Sequence, residues 1–240
     1  GLVASAITPR INHNPVSLAV LGLLVEQQQT NAALRSGDLS HAAWGATNVT
    51  VSASSVAGPD GANLWSIENT SSVDAYLSQS VTTALGVVHL CVVKSGGASP
   101  STHISLRVIT FGSVVQDDVL VFNLSTQAMA VTAGSLDDYD YVDMGNGSYL
   151  VWAYKAAAAG QTSSQLRIRP SAGAPVNGAT ALFGMAGSLP GASFPGSYIP
   201  TTSAQVTRTA DSTTVTSSSF TGIHSATAGT IYAEFNLNAT

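Results

Sequence analysis

The densest set of oxygen ligands in this sequence is Asp137, Asp138, Asp140 and Asp143, beside Gly145 and Asn146. Hard oxygen donors on a turn suit Ca²⁺, but the spacing is not that of an EF-hand loop. A solvated acidic turn satisfies the same pattern, so a structural calcium is the one cofactor the sequence offers. Support for hydrolytic chemistry is weaker. Glycoside cleavage needs two carboxyl groups facing each other across roughly 5–10 Å, whereas Asp117 and Asp118 are chain neighbours, on opposite strand faces or in a turn. His13, His41, His89, His103 and His224 are dispersed, with no two at metal-ligand spacing. Cys91 is the only cysteine, so it forms no internal disulfide; inside the apolar run Val87–Val93 it reads as a buried, inert thiol. With no nucleophile–base pair, paired carboxylates or metal cluster, the expected class is not an enzyme.

The remaining chemistry is recognition. Exposed aromatic rings stack on sugar faces while amide and carboxylate groups fix the hydroxyls. The candidates are Trp65, Tyr76, Tyr139, Tyr141, Trp152 and Tyr154. Core packing is the default for Trp44, Trp65 and Trp152. Tyr139 and Tyr141, one residue apart, share one face of a strand and are the better candidates for exposure. The glycan-binding set taken forward is Tyr139, Tyr141, Trp65 and Tyr76.

These residues need a scaffold, and the pattern of the chain predicts an all-β one. Val49–Ala53 alternates with period two, Gly58-Pro59-Asp60-Gly61 is a turn, and Leu64–Glu68 and Ala75–Val81 follow as strands. Val87–Lys94 is apolar throughout, as expected of a central strand covered on both faces. Ile104–Phe111, Val119–Leu124 and Tyr149–Tyr154 continue the series, the last after the Asn146-Gly147 hairpin signal. Gln165–Arg169 and Ala179–Met185 complete eight or nine strands of an antiparallel β-sandwich of jelly-roll type. Residues 1–30 read as an extended arm ending in a strand at Leu21–Val25, with a short helical turn available at Gln27–Gln29. Residues 31–190 read as the jelly roll, with one helical turn capped by Ser36 or Asp38 in Ser36–Trp44. Residues 191–211 form a Pro/Thr-rich strap. Pro195 and Pro200 bias Ser197-Tyr198-Ile199 toward extended backbone, with Tyr198 and Ile199 free to dock on a sandwich edge. Residues 212–240 hold an alternating strand, Thr230–Leu237, that either opens a second sandwich or pairs with the N-terminal arm.

Composition narrows the class further. The 240 residues are 45% apolar and only 9% charged, with a formal net charge of -5. Enough apolar surface is present for a sizeable core, and Ser, Thr, Asn, Gln and Gly must supply solubility. Eight scattered Lys and Arg give no basic stripe, which disfavours nucleic acid. No apolar run reaches the roughly 20 residues that span a bilayer, and Leu18–Val25 lacks a signal-peptide pattern, so neither membrane insertion nor export is expected.

In order along the chain, Pro9-Arg10, Asn14-Pro15, Gly22-Leu23-Leu24-Val25-Glu26, Thr30-Asn31, Trp44, Pro59-Asp60-Gly61, Tyr76-Leu77-Ser78-Gln79, Gly145-Asn146-Gly147-Ser148-Tyr149 and the strap Phe194–Asp211 form a series. It resembles one in bacteriophage tail-fibre and head-spike proteins, where a carbohydrate-binding-module-like jelly roll precedes a concanavalin A-like sandwich. The resemblance implies a phage virion structural protein on the particle surface, assembled in the host cytoplasm. It also implies a homotrimer, contacts with other capsid or tail proteins, and attachment to a host-surface glycan. Two other roles fit the same residues: a decoration or assembly protein that never touches sugar, and the non-catalytic part of a depolymerase tailspike.

Overall fold

The apolar run Val87–Lys94 forms one strand with those bounds, buried on both sides. The computed structural model describes residues 10–14, 16–24 and 26–211. Its strands are β1 (Arg10–His13), β2 (Val20–Leu24), β3 (Gln29–Asn31), β4 (Gly45–Thr47), β5 (Val49–Ala57), β6 (Asn63–Asn69), β7 (Tyr76–Thr82), β8 (Val87–Lys94), β9 (His103–Phe111), β10 (Gln116–Asn123), β11 (Met129–Ala133), β12 (Asp138–Asp143), β13 (Ser148–Lys155), β14 (Ser163–Arg169), β15 (Thr180–Pro190) and β16 (Val206–Arg208). Two six-stranded sheets, ordered β11-β10-β9-β14-β7-β4 and β12-β13-β8-β15-β6-β5, face each other. Every pairing within them is antiparallel. The molecule is thus an all-β antiparallel sandwich of jelly-roll type.

Alternation along each strand builds the core. Ile104, Leu106 and Phe122 of the first sheet meet Cys91, Val93 and Phe183 of the second. Cys91 is fully buried, which pushes its thiol up to about 12 and leaves it inert. The second sheet is covered on its outer side too: Leu64, Val92, Leu182 and Met185 pack with Tyr198 of the strap, and Trp152 packs with Val88, Leu90 and Leu189. That second layer is why β8 carries no polar alternation.

Two polar devices pin the sheets together. His89, fully buried on β8, bonds through Nδ1 to Ser188 Oγ of β15 and through Nε2 to Ser164 Oγ of β14, both at 2.8 Å. Ser164 donates its own proton to the Ile109 carbonyl, so it accepts from Nε2–H, and Nδ1 accepts from Ser188. At the other end, Lys155 of β13 reaches Asp118 of β10 at 3.7 Å and donates to the Ser135 carbonyl. Asp118 is almost wholly buried and accepts from the Ser135 amide. Gly134, at a φ of +70°, passes so close that a Cβ would lie 2.0 Å from Asp118 Oδ1. Gly134→Ala should therefore lower stability by about 2 kcal/mol through left-handed strain and displacement of the buried carboxylate, read as a shifted urea midpoint.

Several sequence expectations give way to tertiary partners. The N-terminal arm folds back as a β1–β2 hairpin, with β2 at Val20–Leu24 where the sequence predicts a strand at Leu21–Val25. Gln27–Gln29 forms no helical turn, because Gln29 begins β3: its side chain donates to the Phe194 carbonyl and accepts from the Gly196 amide. Ser36 caps no helix either, since Thr201 captures it. The Ser36 amide donates to Thr201 Oγ1, the Thr201 amide donates to Ser36 Oγ, and the Tyr198 hydroxyl completes the set at 2.6 Å. Ser36–Trp44 is accordingly a run of turns. Tyr198 and Ile199 dock on the sandwich as the strap reading expects, and burial pushes the Tyr198 phenol up to about 12. The sandwich itself has twelve strands, six in each sheet, rather than eight or nine. The strand Thr230–Leu237 and the second sandwich lie outside the described residues.

Candidate functional site

The main core lies against one side of the first sheet, and the other side carries a row of polar and charged side chains beside Ile109 and Val121. Ladder partners share a face, so the β9–β14 register sets Arg107 opposite Arg167 and Ser105 opposite Arg169. The β14–β7 register sets Gln165 opposite Ser80 and Arg167 opposite Ser78, with Tyr76 further along the same face of β7. Leu166 and Ile168 alternate inward and are fully buried, which fixes the outward aim of Gln165, Arg167 and Arg169.

The contacts on this face form a chain. The Arg167 guanidinium lies 4.1 Å over the centre of the Tyr76 ring, a cation–π stack, and its Nε donates to Gln165 Oε1. Gln165 Nε2 in turn donates to Ser80 Oγ at 2.9 Å. Arg107 makes a bidentate pair with Asp117 of β10. That pair raises the guanidinium above its ordinary range and holds the carboxyl below its own. Arg169 is only 7% exposed and donates to the Gly173 carbonyl. Burial, then Arg107, draws its proton affinity down from the usual arginine range.

The sequence-derived candidates disperse over the structure. Tyr76 stands on the open face. Trp65 is half-buried on the inner side of β6 and donates Nε1–H to the Gly37 carbonyl. Tyr139 and Tyr141 do share one face of β12, but it is the inner one. Tyr141 is not exposed as expected: its ring sits half-buried 5.2 Å from Phe122 and 5.9 Å from Tyr149. Tyr139, nearer the sheet corner, remains 37% exposed. Tyr76 is therefore the single member of the four on the arginine face.

The acidic cluster is a strand, not a turn. Asp138 and Asp140 share the outer face of β12, Asp143 lies on the opposite face, and Asp137 precedes the strand. Each carboxylate is engaged by nearby backbone: Asp137 accepts from the Ala156 amide, Asp138 from Tyr139, Asp140 from Tyr141 and Asp143 from Gly145. The four do not converge, and among the described residues no group of three or more His, Cys, Asp or Glu is placed to hold a metal ion. Asp117 and Asp118 point to opposite faces, one to Arg107 and one to Lys155.

Two shallow hollows lie elsewhere. One joins Asn14 and Val16 to Asp140–Asp143. The other runs along Ser52–Val56 beside Glu68 and Lys94. Tyr141, with its ring packed against Phe122 and Tyr149, lines the first beside Asp140, Asp143 and Asn14, and no aromatic residue lines the second.

No family model matches the chain, and no curated protein does. Among solved structures it is similar to the N-terminal carbohydrate-binding and catalytic modules of endo-1,4-beta-D-xylanase 10B of Clostridium thermocellum with xylohexaose. That match has a TM-score of 0.45 at 11% identity over 72% of this chain and 30% of the other. It is also similar to a candidate sugar binding protein from Bacteroides thetaiotaomicron, with a TM-score of 0.32 at 10% identity over 78% of this chain and 95% of the other. An exo-beta-agarase gives a TM-score of 0.28 at 12% identity over 61% of this chain and 25% of the other. The chain spans about 30% of the length of the first of these.

Proposed function

We propose that the chain is a non-catalytic glycan-binding module whose ligand face is the outer side of the first sheet. The observation that carries this reading is the Tyr76 ring held by Arg167 next to Gln165 and Ser80. The face of the Tyr76 ring opposite the Arg167 guanidinium is the one a sugar's C–H side would stack on. The neighbouring amide, hydroxyl and guanidinium groups match adjacent sugar hydroxyls, and the paired strands β7 and β14 hold them in register. The resemblance of the ordered motifs from Pro9 to Asp211 to phage fibre and spike proteins supports reading this module as part of a virion fibre or spike, and it is that resemblance that implies a homotrimer at the host surface.

Tyr76→Ala should weaken retention in a polysaccharide affinity gel at least tenfold with the thermal midpoint changed little. Tyr139→Ala, at the edge of the other sheet, should leave retention as it is. The reverse pattern would move the binding face to β12 and overturn the assignment.

A further inference from the structure

Three of the chain's eight basic residues, Arg107, Arg167 and Arg169, lie on the same face of two neighbouring strands in a protein of net charge -5. Arg107 and Arg167 are direct cross-strand partners, an arrangement that costs stability because like charges repel at that distance. Asp117 neutralises Arg107. Among the described residues, neither Arg167 nor Arg169 makes an ion pair. Arg169 is the more costly of the two: it is only 7% exposed, its guanidinium donates to the Gly173 carbonyl, and Asp74 and Asp117 attract it without forming an ion pair while Arg107 and Arg167 repel it.

A second observation points to the same place. Ser105, opposite Arg169 in the ladder and fully buried, leaves its hydroxyl without a hydrogen-bond partner, as does Ser171, two residues beyond Arg169. The sheet thus carries two guanidiniums without an ion-pair partner, one of them opposite the unmet Ser105 hydroxyl. An oxyanion offered to this face would pair with the guanidiniums that lack an ion-pair partner. A neutral sugar would leave the excess positive charge in place.

Resting on the proposed glycan-binding reading, we infer that the sugar bound here carries a negative group, a carboxylate or a sulfate, held by Arg167 and Arg169 while Tyr76 takes the neighbouring ring.

The test is affinity electrophoresis of the full chain in gels containing a polyuronate, its carboxyl-reduced neutral form, a sulfated glucan, a neutral glucan, or polyphosphate. Expected is retention by the polyuronate or the sulfated glucan, at least tenfold weaker with the neutral polymers and falling with added salt. Arg167→Gln and Arg169→Gln should each lose retention at least tenfold. Arg167→Gln should do so with an unchanged or raised thermal midpoint, because it also relieves the repulsion with Arg107, so lost binding cannot be put down to lost fold. Equal retention by neutral and acidic polymers, sensitive to Tyr76→Ala but not to either arginine change, would overturn the acidic-sugar inference and leave the glycan-binding reading standing. Retention by polyphosphate alone would overturn the sugar and keep the anion site. Retention by none of the five would overturn both.

Discussion

Between pH 7 and pH 4 the unfolding free energy of this protein should fall by about 3 kcal/mol on account of His89 alone. The imidazole is wholly enclosed, and burial holds its folded-state value down to about 3, against 6.5 for an ordinary histidine. In that window the unfolded chain binds a proton that the folded one refuses. The contribution is complete above pH 6.5 and drains away as the pH falls toward 3. Only neutral serine hydroxyls face the two ring nitrogens, so no opposite charge offsets the loss of water around a charged ring. His89→Gln should remove most of this slope, at a cost near 2 kcal/mol at neutral pH for the broken serine bridge. Urea unfolding at closely spaced pH values checks both. A wild-type profile parallel to that of the glutamine variant would show that the ring titrates freely and that the bridge between the sheets is not closed to water.

The second large effect concerns the clasp that holds the strap. Asn31→Ala should lower stability by about 3 kcal/mol and open the strap to protease. Asn31 is 1% exposed and binds three separate segments: Nδ2 donates to the Ile199 carbonyl, while Oδ1 accepts from the Ala33 and Ser188 amides. Truncation strands all three backbone groups where water does not reach, at roughly 1 kcal/mol or more each. Asn31→Asp separates the parts, since it keeps the acceptor and loses the donor to Ile199. Cleavage between Phe194 and Asp211 should speed up in both variants while cleavage within β8 stays slow. Equal acceleration at both places would mean that the strap and the sandwich open together.

What could be read from the chain beforehand follows from how local each signal is. Val87–Lys94 and the Asn146-Gly147 bend were legible because composition alone sets them: a run apolar but for His89 and the terminal Lys94, and two residues that tolerate positive φ. β12 was not, because Asp138, Asp140 and Asp143 read as a solvated turn. Acidic residues also suit the outermost strand of a sheet, where they discourage pairing with a stranger. Spacing put Tyr139 and Tyr141 on one side of a strand, and that holds. Which side faces the core is decided by pairing with β13, which two residues cannot disclose.

The arginine face escaped notice for a similar reason. Arg107 belongs to one alternating strand and Arg167 and Arg169 to another, each an unremarkable solvent-side residue until β9 and β14 lie side by side. Ser36 and Thr201 show the opposite failure: a good helix cap by type was claimed by a partner far along the chain.

The pairing of β3 with β16 also decides how this protein meets mechanical load. Glu26 and Asp211 hold each other's backbone, and Arg208 ties both Glu26 and Ser197, so the chain enters and leaves at a single point. Tension applied through the flanking residues would peel Glu26 from Asp211, then Gln29 from Arg208, then Asn31 from Val206, one rung after another. The two large sheets would feel no pull until that zipper had run out, and the arginine face would keep its shape while the tether lengthened.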